Sequence, residues 1–253
     1  MKEKIKDFVL SLGIDDVGIA SAKDYKSPKS PDLESIFPGA KSYVVLAYKE
    51  LSNCESENMQ IAMGGRLDAL EFARSSNYKV ARFLEREFKA KAMTVPPSYP
   101  LHISYETKGT IGDFSLRHAA IAAGLGNFGR HNLVIHPKMG SRVVFTAVIT
   151  NLELPSDLPI SERLCTDCNV CVEQCPAGAL NEEGKTDDMK CLKNSQPYGI
   201  GSAIRFWTKF AEATTEEQKK MVKDVNYWRL YQAGFIGFQY FCFNCIKSCP
   251  IGQ

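Results

Sequence analysis

Eight of the nine cysteines lie between positions 165 and 249, in two groups of related spacing. The first group reads Cys165-x2-Cys168-x2-Cys171-x3-Cys175-Pro176. The second reads Cys191-x50-Cys242-x2-Cys245-x3-Cys249-Pro250. Thiolates repeated at such short intervals are typical of metal centres, so this pattern constrains the fold of the whole second half.

Three chemistries compete for these cysteines. Disulfides are disfavoured because residues 1–7 lack the apolar core of an export signal and a reducing cytosol keeps thiols free. Zinc sites favour two cysteine pairs separated by a finger-length loop, which leaves the third cysteine of the first group without a role. The run C-x2-C-x2-C-x3-C-P is instead the ligand pattern of bacterial ferredoxins with [4Fe–4S] clusters, in which the fourth cysteine binds the other cluster.

The spacing therefore predicts two complete [4Fe–4S] clusters, with zinc as the alternative. The first cluster takes Cys165, Cys168, Cys171 and the distant Cys249, and the second takes Cys175, Cys191, Cys242 and Cys245. Cys54 lies outside both groups and is expected to be an ordinary loop thiol.

Residues 192–241 form an insert between the first two cysteines of the second group. They hold eleven of the 26 aromatic residues and both tryptophans. This enrichment predicts a cover that shields the second cluster, or else a wall of a cavity for a flat cofactor or substrate. Thr214 and Glu217 have the spacing of a capping box, which predicts a helix that continues through Trp228.

The first half of the chain shows alternating helix and strand patterns. The prolines in Leu154–Pro159 favour a linker there, so we predict one domain over 1–155 and a second over 156–253. The predicted elements are a helix over 5–12, strands over 17–20 and 43–48, helices over 66–91 and 117–123, and a strand over 143–149.

Gly124–Gly129 matches the dinucleotide-binding fingerprint G-x-G-x-x-G. That motif needs a strand before it and a helix after it, and here the order is reversed. A nicotinamide site is therefore disfavoured. The glycines predict a tight helix-to-strand connection or a floor along which backbone approaches a flat cofactor.

Taken together, several segments resemble the epoxyqueuosine reductase family and, more distantly, the corrinoid reductive dehalogenases. The segments are LGIDDVGIA at 12–20, FPGAKSYVV at 37–45, FARSSNYK at 72–79, AGLGNFGRH at 123–131, GS at 140–141 and the split cysteine pattern. The resemblance implies an α/β (α+β), nitroreductase-like corrinoid-binding domain followed by a ferredoxin-like domain with two [4Fe–4S] clusters. It also implies an oxidoreductase in which electrons pass through both clusters to cobalamin, which reduces an electrophilic substrate.

The resemblance further implies residues that surround the corrinoid. These are Tyr78, Gly124, Gly126, Gly129, Val134, Ser141, Phe145, Tyr198 and Phe243. The family's acidic proton donor falls on Thr110, whose hydroxyl is a poor acid near neutral pH. Asp113 and Tyr105 are the candidate replacements.

The expected partners are a low-potential electron donor, such as a ferredoxin or flavodoxin, and a small-molecule or modified-nucleoside substrate. A net charge of +2 provides no basic surface for tRNA, and no apolar run is long enough for a membrane span, so a cytoplasmic location is expected. A non-enzymatic electron carrier and an activator of another corrinoid protein are the alternatives. The four histidines lack the spacing of metal ligands and are expected to be surface or hydrogen-bonded residues.

Overall fold

The structure is a computed structural model that describes residues 1–97, 101–107 and 109–252. Its centre is a four-stranded antiparallel sheet in the order β1-β2-β6-β3. The strands are β1 (Asp16–Ser21), β2 (Ser42–Lys49), β3 (Ala92–Val95) and β6 (Val143–Thr150). The two central strands are buried on both faces, which explains why both read as nearly continuous apolar runs.

Helices cover both faces of this sheet. The helices of the first half are α1 (Lys2–Ser11), α2 (Leu33–Ile36), α3 (Met59–Phe88) and α4 (Leu116–Ala122). Side chains of α1 and α3 pack with Val44, Leu46 and Val148 on one face. On the other face α4 packs with Val45 and Phe145. The predicted mixed α/β arrangement is confirmed, including the short helix and the long central strands.

The helix predicted to start at Arg66 begins seven residues earlier, at Met59. The side chain of Asn58 caps it by accepting hydrogen bonds from the amides of Gln60 and Ile61. Gly64 and Gly65 are poor helix formers, so propensity alone places the start after them. The first turns are instead supported by packing against the 3-10 turn at Ser52–Glu55.

The second half consists of short helices joined by irregular chain. A small hairpin, β4 (Asn127–Phe128) and β5 (Val134–Ile135), precedes it. The helices are α5 (Val170–Glu173), α6 (Asp188–Ser195), α7 (Ile200–Glu212), α8 (Thr215–Met221), α9 (Val225–Phe235) and α10 (Asn244–Lys247). The capping box at Thr214 and Glu217 is confirmed. The helix it starts, however, ends at Met221, and Asp224 caps a separate helix that contains Trp228.

Residues 154–159, the predicted linker, lie along the outer side of β1. Leu154 is buried and exchanges hydrogen bonds with Ser42. The Asp157 amide donates to the carbonyl of Ile19 at 2.7 Å. The segment is therefore packed against the first domain, and the domain boundary near residue 155 stays a prediction.

Asp157 fastens this segment to both α1 and β1. Its carboxylate accepts from Lys2 at 2.7 Å, from Lys6 at 2.8 Å and from the Ile19 amide at 2.8 Å. Burial by itself raises the pKa of Asp157, but these hydrogen bonds outweigh it and the pKa is lowered.

We expect Asp157→Asn to lower the free energy of unfolding by about 2 kcal/mol at pH 7. Because the folded-state pKa lies below the unfolded one, this contribution is complete at neutral pH and is lost as the pH falls below about 4. Urea unfolding at pH 7 and pH 3 checks both points. A difference between the two proteins that persists undiminished at pH 3 contradicts the assignment.

Candidate functional site

The four cysteines predicted to hold the first cluster line one pocket. Cys165 and Cys168 lie on irregular chain, Cys171 lies in α5, and Cys249 follows α10. Helices α5 and α10 pack against each other, which closes the long gap in sequence. Burial raises the pKa of the Cys171 thiol, and the neighbouring thiols of the group raise it further.

The other four cysteines form a second group beside the first. Burial raises the pKa of the Cys245 thiol to about 12, with further contributions from Cys242, Cys191, Cys171 and Cys175. The pKa of Cys191 is raised by burial and by Cys242 and Cys175. The interaction of Cys245 with Cys171 shows that the two groups are adjacent. The interleaved assignment of ligands to two clusters stays a prediction.

The chemistry of both groups suits a bound cation. Thiols whose pKa is raised in this way stay protonated at neutral pH, and a metal centre displaces those protons when it binds. Backbone amides already point at two of the sulfurs, from Arg130 to Cys165 Sγ at 3.4 Å and from Ala179 to Cys175 Sγ at 3.3 Å. Within the described residues, no three His, Cys, Asp or Glu side chains lie close enough together to hold a single ion.

Arg142 holds the last cysteine in place. Its guanidinium donates to the carbonyl of Cys249 at 2.9 Å and to that of Lys247 at 2.7 Å, and it pairs with Glu55. Next to it, the Ser141 hydroxyl donates to the carbonyl of Ile246 at 2.9 Å. Sequence reasoning missed Arg142, whose only signal was a charge at the start of an apolar strand.

A cavity of about 900 Å³ opens at the start of α6, and none of the eight clustered cysteines lies in its wall. Asp188 in its wall belongs to α6, the helix that carries Cys191. Apolar side chains make up the largest part of the wall, together with small polar side chains and a few charged groups. The wall is formed by residues 27–30, 36, 93–97, 101, 110–118, 128, 132, 149, 184–186 and 188.

The three candidate proton-donor positions differ sharply in placement. Thr110 lines the cavity, but its hydroxyl donates to the carbonyl of Thr107 at 2.7 Å. Asp113 also lines the cavity, with its carboxylate 3.5 Å from His102 Nδ1. Tyr105 is 99% exposed and lies outside the cavity wall. Of the two replacements, the structure brings only Asp113 to the cavity.

The glycine loop packs tightly against the protein's own chain. A side chain at Gly124 would overlap the carbonyl of Leu158, and one at Gly126 would overlap that of Ile135. At Gly129 it would meet the Ile135 and His131 side chains. The glycines are required because the protein's own chain fills the adjacent space, so the loop is the tight helix-to-strand connection. Phe128, between them, does line the cavity.

The remaining residues predicted to surround the corrinoid also lie outside the cavity wall. Val134 and Phe145 are buried in the sheet core, and Phe243 packs beside Cys54 in a smaller core. Tyr78 is 66% exposed on α3. Tyr198 packs edge-on against Tyr240. The Ser141 hydroxyl donates a hydrogen bond to the Ile246 carbonyl. Their role in corrinoid binding stays a prediction.

The insert covers α3 only in part. Ala233 and Tyr240 pack with Met63 of that helix. Trp207, Trp228 and Phe235 are instead more than half exposed on α7 and α9. None of the described helices combines the length and apolarity needed to cross a membrane.

Comparison with known proteins agrees with this geometry. Residues 158–181 match the 4Fe-4S binding domain family. The chain is 28% identical over 218 residues to the epoxyqueuosine reductase of Bacillus cereus, an alignment that covers 76% of this chain and 55% of that protein. The chain is similar to epoxyqueuosine reductases.

Solved structures show the same fold. An epoxyqueuosine reductase crystallised with a tRNA-Tyr epoxyqueuosine-modified stem loop matches with a TM-score of 0.65 at 20% identity, over 99% of this chain and 65% of that one. A catabolic reductive dehalogenase in complex with 3-bromo-4-hydroxybenzoic acid matches with a TM-score of 0.61 at 21% identity, over 76% of this chain and 28% of that one. The predicted fold class is confirmed. The chain spans about half the length of the curated epoxyqueuosine reductases it matches.

Proposed function

We propose that this protein is a reductase resembling epoxyqueuosine reductases, with two [4Fe–4S] clusters and a corrinoid. The observation that carries the proposal is the juxtaposition of two four-cysteine groups with a cavity of about 900 Å³. Clusters and free thiols need a reducing compartment, which favours the cytoplasm.

The eight cysteines are the proposed cluster ligands, in the two sets described above. The amides of Arg130 and Ala179 stabilise negative charge on the sulfurs of Cys165 and Cys175. The second group lies next to the first through Cys171 and Cys245, and next to the cavity through α6. This order in space suits electron flow from a low-potential ferredoxin or flavodoxin toward the cavity.

The cavity is the proposed corrinoid site. Its volume suits a large planar ligand, and backbone and short polar side chains such as Ser27, Ser30 and Thr94 offer hydrogen bonds to the amides on a corrin rim. When bound, a reduced corrinoid supplies a strong nucleophile or one-electron reductant. The chain's own residues bind and orient the reactants and provide the proton.

We propose an electrophilic small molecule or modified nucleoside as the substrate. The solved relative was crystallised with an epoxyqueuosine-modified tRNA stem loop, which makes that ligand the first to test. A net charge of +2 gives little electrostatic support for tRNA binding. An electron carrier or an activator of another corrinoid protein has no need of the large cavity, and is disfavoured for that reason.

Anaerobic reconstitution with iron and sulfide, followed by addition of cob(II)alamin, tests the proposal. We expect about eight irons per chain, co-elution of cobalamin on gel filtration and a base-off spectrum. Elution of cobalamin apart from the protein contradicts the reductase and leaves the electron carrier. Turnover of an epoxyqueuosine stem loop then tests the substrate.

Asp113 is the proposed proton donor. The Thr110 hydroxyl already donates to the Thr107 carbonyl, and Tyr105 lies away from the cavity. We expect Asp113→Asn to lower the turnover rate about 100-fold or more, the usual contribution of a general acid. Tyr105→Phe is the matched control and should keep the full rate. Single-turnover measurements with each variant decide, and an unchanged rate in Asp113→Asn removes it from this role.

A further inference from the structure

His131 carries a buried donor without a partner. The residue is only 3% exposed. Its Nδ1 accepts a hydrogen bond from the Leu133 amide at 3.1 Å, which places the ring proton on Nε2. Within the described part of the chain, Nε2 has no hydrogen-bond partner.

The ring lines the pocket of the first cysteine group. Cys165, Cys168, Cys171 and Cys249 lie in the same pocket wall. Because Nδ1 accepts from the Leu133 amide, the ring carries its proton on Nε2, and Nε2–H is a donor only. Buried donors are almost always satisfied in folded proteins, so the unpaired Nε2–H marks the position of an acceptor.

Sulfur atoms are the acceptors that this pocket provides when a cluster is bound. The amide of the preceding residue, Arg130, already donates to Cys165 Sγ, so the turn that carries His131 supplies one N–H group to this cysteine group. Hydrogen bonds to cluster sulfurs favour the reduced state, which carries more negative charge.

We propose that His131 Nε2–H donates a hydrogen bond to a sulfur of the cluster held by Cys165, Cys168, Cys171 and Cys249, and that it raises the reduction potential of that cluster. The proposal rests on the clusters of the proposed function and assigns His131 as a positioning and tuning residue. The hydrogen bond keeps the first cluster reducible by its donor.

Two measurements on the anaerobically reconstituted full chain test this proposal. In a redox titration followed by electron paramagnetic resonance, His131→Phe should lower the reduced-to-oxidised ratio of one cluster about tenfold at its wild-type midpoint potential. His131→Gln keeps an N–H donor and should restore part of the shift. His102→Phe, at a residue outside both the cluster pocket and the cavity wall, should leave both midpoints unchanged.

The second measurement is made on the wild-type protein, so it does not depend on folding of a variant. With ¹⁵N-labelled histidine, electron–nuclear double resonance should show one histidine nitrogen and one exchangeable proton coupled to a reduced cluster. Loss of both couplings in His131→Phe identifies the residue. Eight irons per chain without any histidine coupling overturn the role of His131 while leaving the clusters intact. Zinc or an absence of iron overturns the proposed function itself.

Discussion

We expect replacement of Cys249 by alanine to empty the cluster proposed for Cys165, Cys168 and Cys171, although those cysteines lie far away in sequence. The reason is that Cys249 shares their pocket, while Cys175 lies with the second group. We expect iron to fall from about eight to about four per chain, because one cubane loses a ligand. Cys175→Ala should have the reciprocal effect. Iron analysis combined with electron paramagnetic resonance of the reduced proteins shows which cluster survives.

Cys54→Ala is the matched control for both variants. Cys54 is buried between Ala62, Phe243 and Ile246 and belongs to neither group. The Cys54→Ala protein should retain about eight irons per chain. If Cys249→Ala instead loses the same spectroscopic signal as Cys191→Ala, the interleaved assignment is wrong and each cluster is bound within one sequence group.

Arg142→Met is expected to destabilise the docked C-terminal turn by about 3 kcal/mol and to reduce iron in the first cluster. Methionine keeps the stem of the side chain but leaves the carbonyls of Lys247 and Cys249 without their donors and Glu55 without its partner. Chemical unfolding of the apoprotein measures the stability, and iron analysis measures the second effect.

Arg82→Met is the corresponding control on the surface. Arg82 pairs with Glu85 one turn along the same helix, and its side chain is 42% exposed. Its replacement should lower the free energy of unfolding by less than about 1 kcal/mol. Equal losses in the two variants would show that Arg142 acts as an ordinary surface charge.

The cysteine groups were recognisable in the sequence because ligands to one metal centre follow each other at short, regular intervals. In the structure Cys249 shares a pocket with Cys165, Cys168 and Cys171, and Cys175 lies near Cys191. The exchange of the fourth ligand between two clusters stays a prediction. The central strands were predictable for a similar reason, since burial on both faces demands unbroken apolar runs in 42–49 and 143–150.

The cavity was not predictable from such patterns. Its wall combines loops around Ser27, Thr110 and Lys185, which are distant in sequence and have no shared motif. For the Gly124–Gly129 loop, the sequence indicates only that other atoms approach the glycines closely. The structure shows that these atoms include the carbonyls of Leu158 and Ile135. His131 escaped notice because an unpaired ring nitrogen has no sequence signature.

The close approach of Gly140 to Ile251 and Gly252 joins two distant parts of the chain through backbone. Gly140 has a φ of +59°, and any side chain there would overlap the Ile251 carbonyl, so the turn at 251–252 docks directly on backbone more than a hundred residues earlier in the chain. Cys249, two residues before Ile251, lies in the same pocket as Cys165, Cys168 and Cys171. In the proposed assignment, the first cluster therefore has its complete ligand set only while this turn is docked on Gly140.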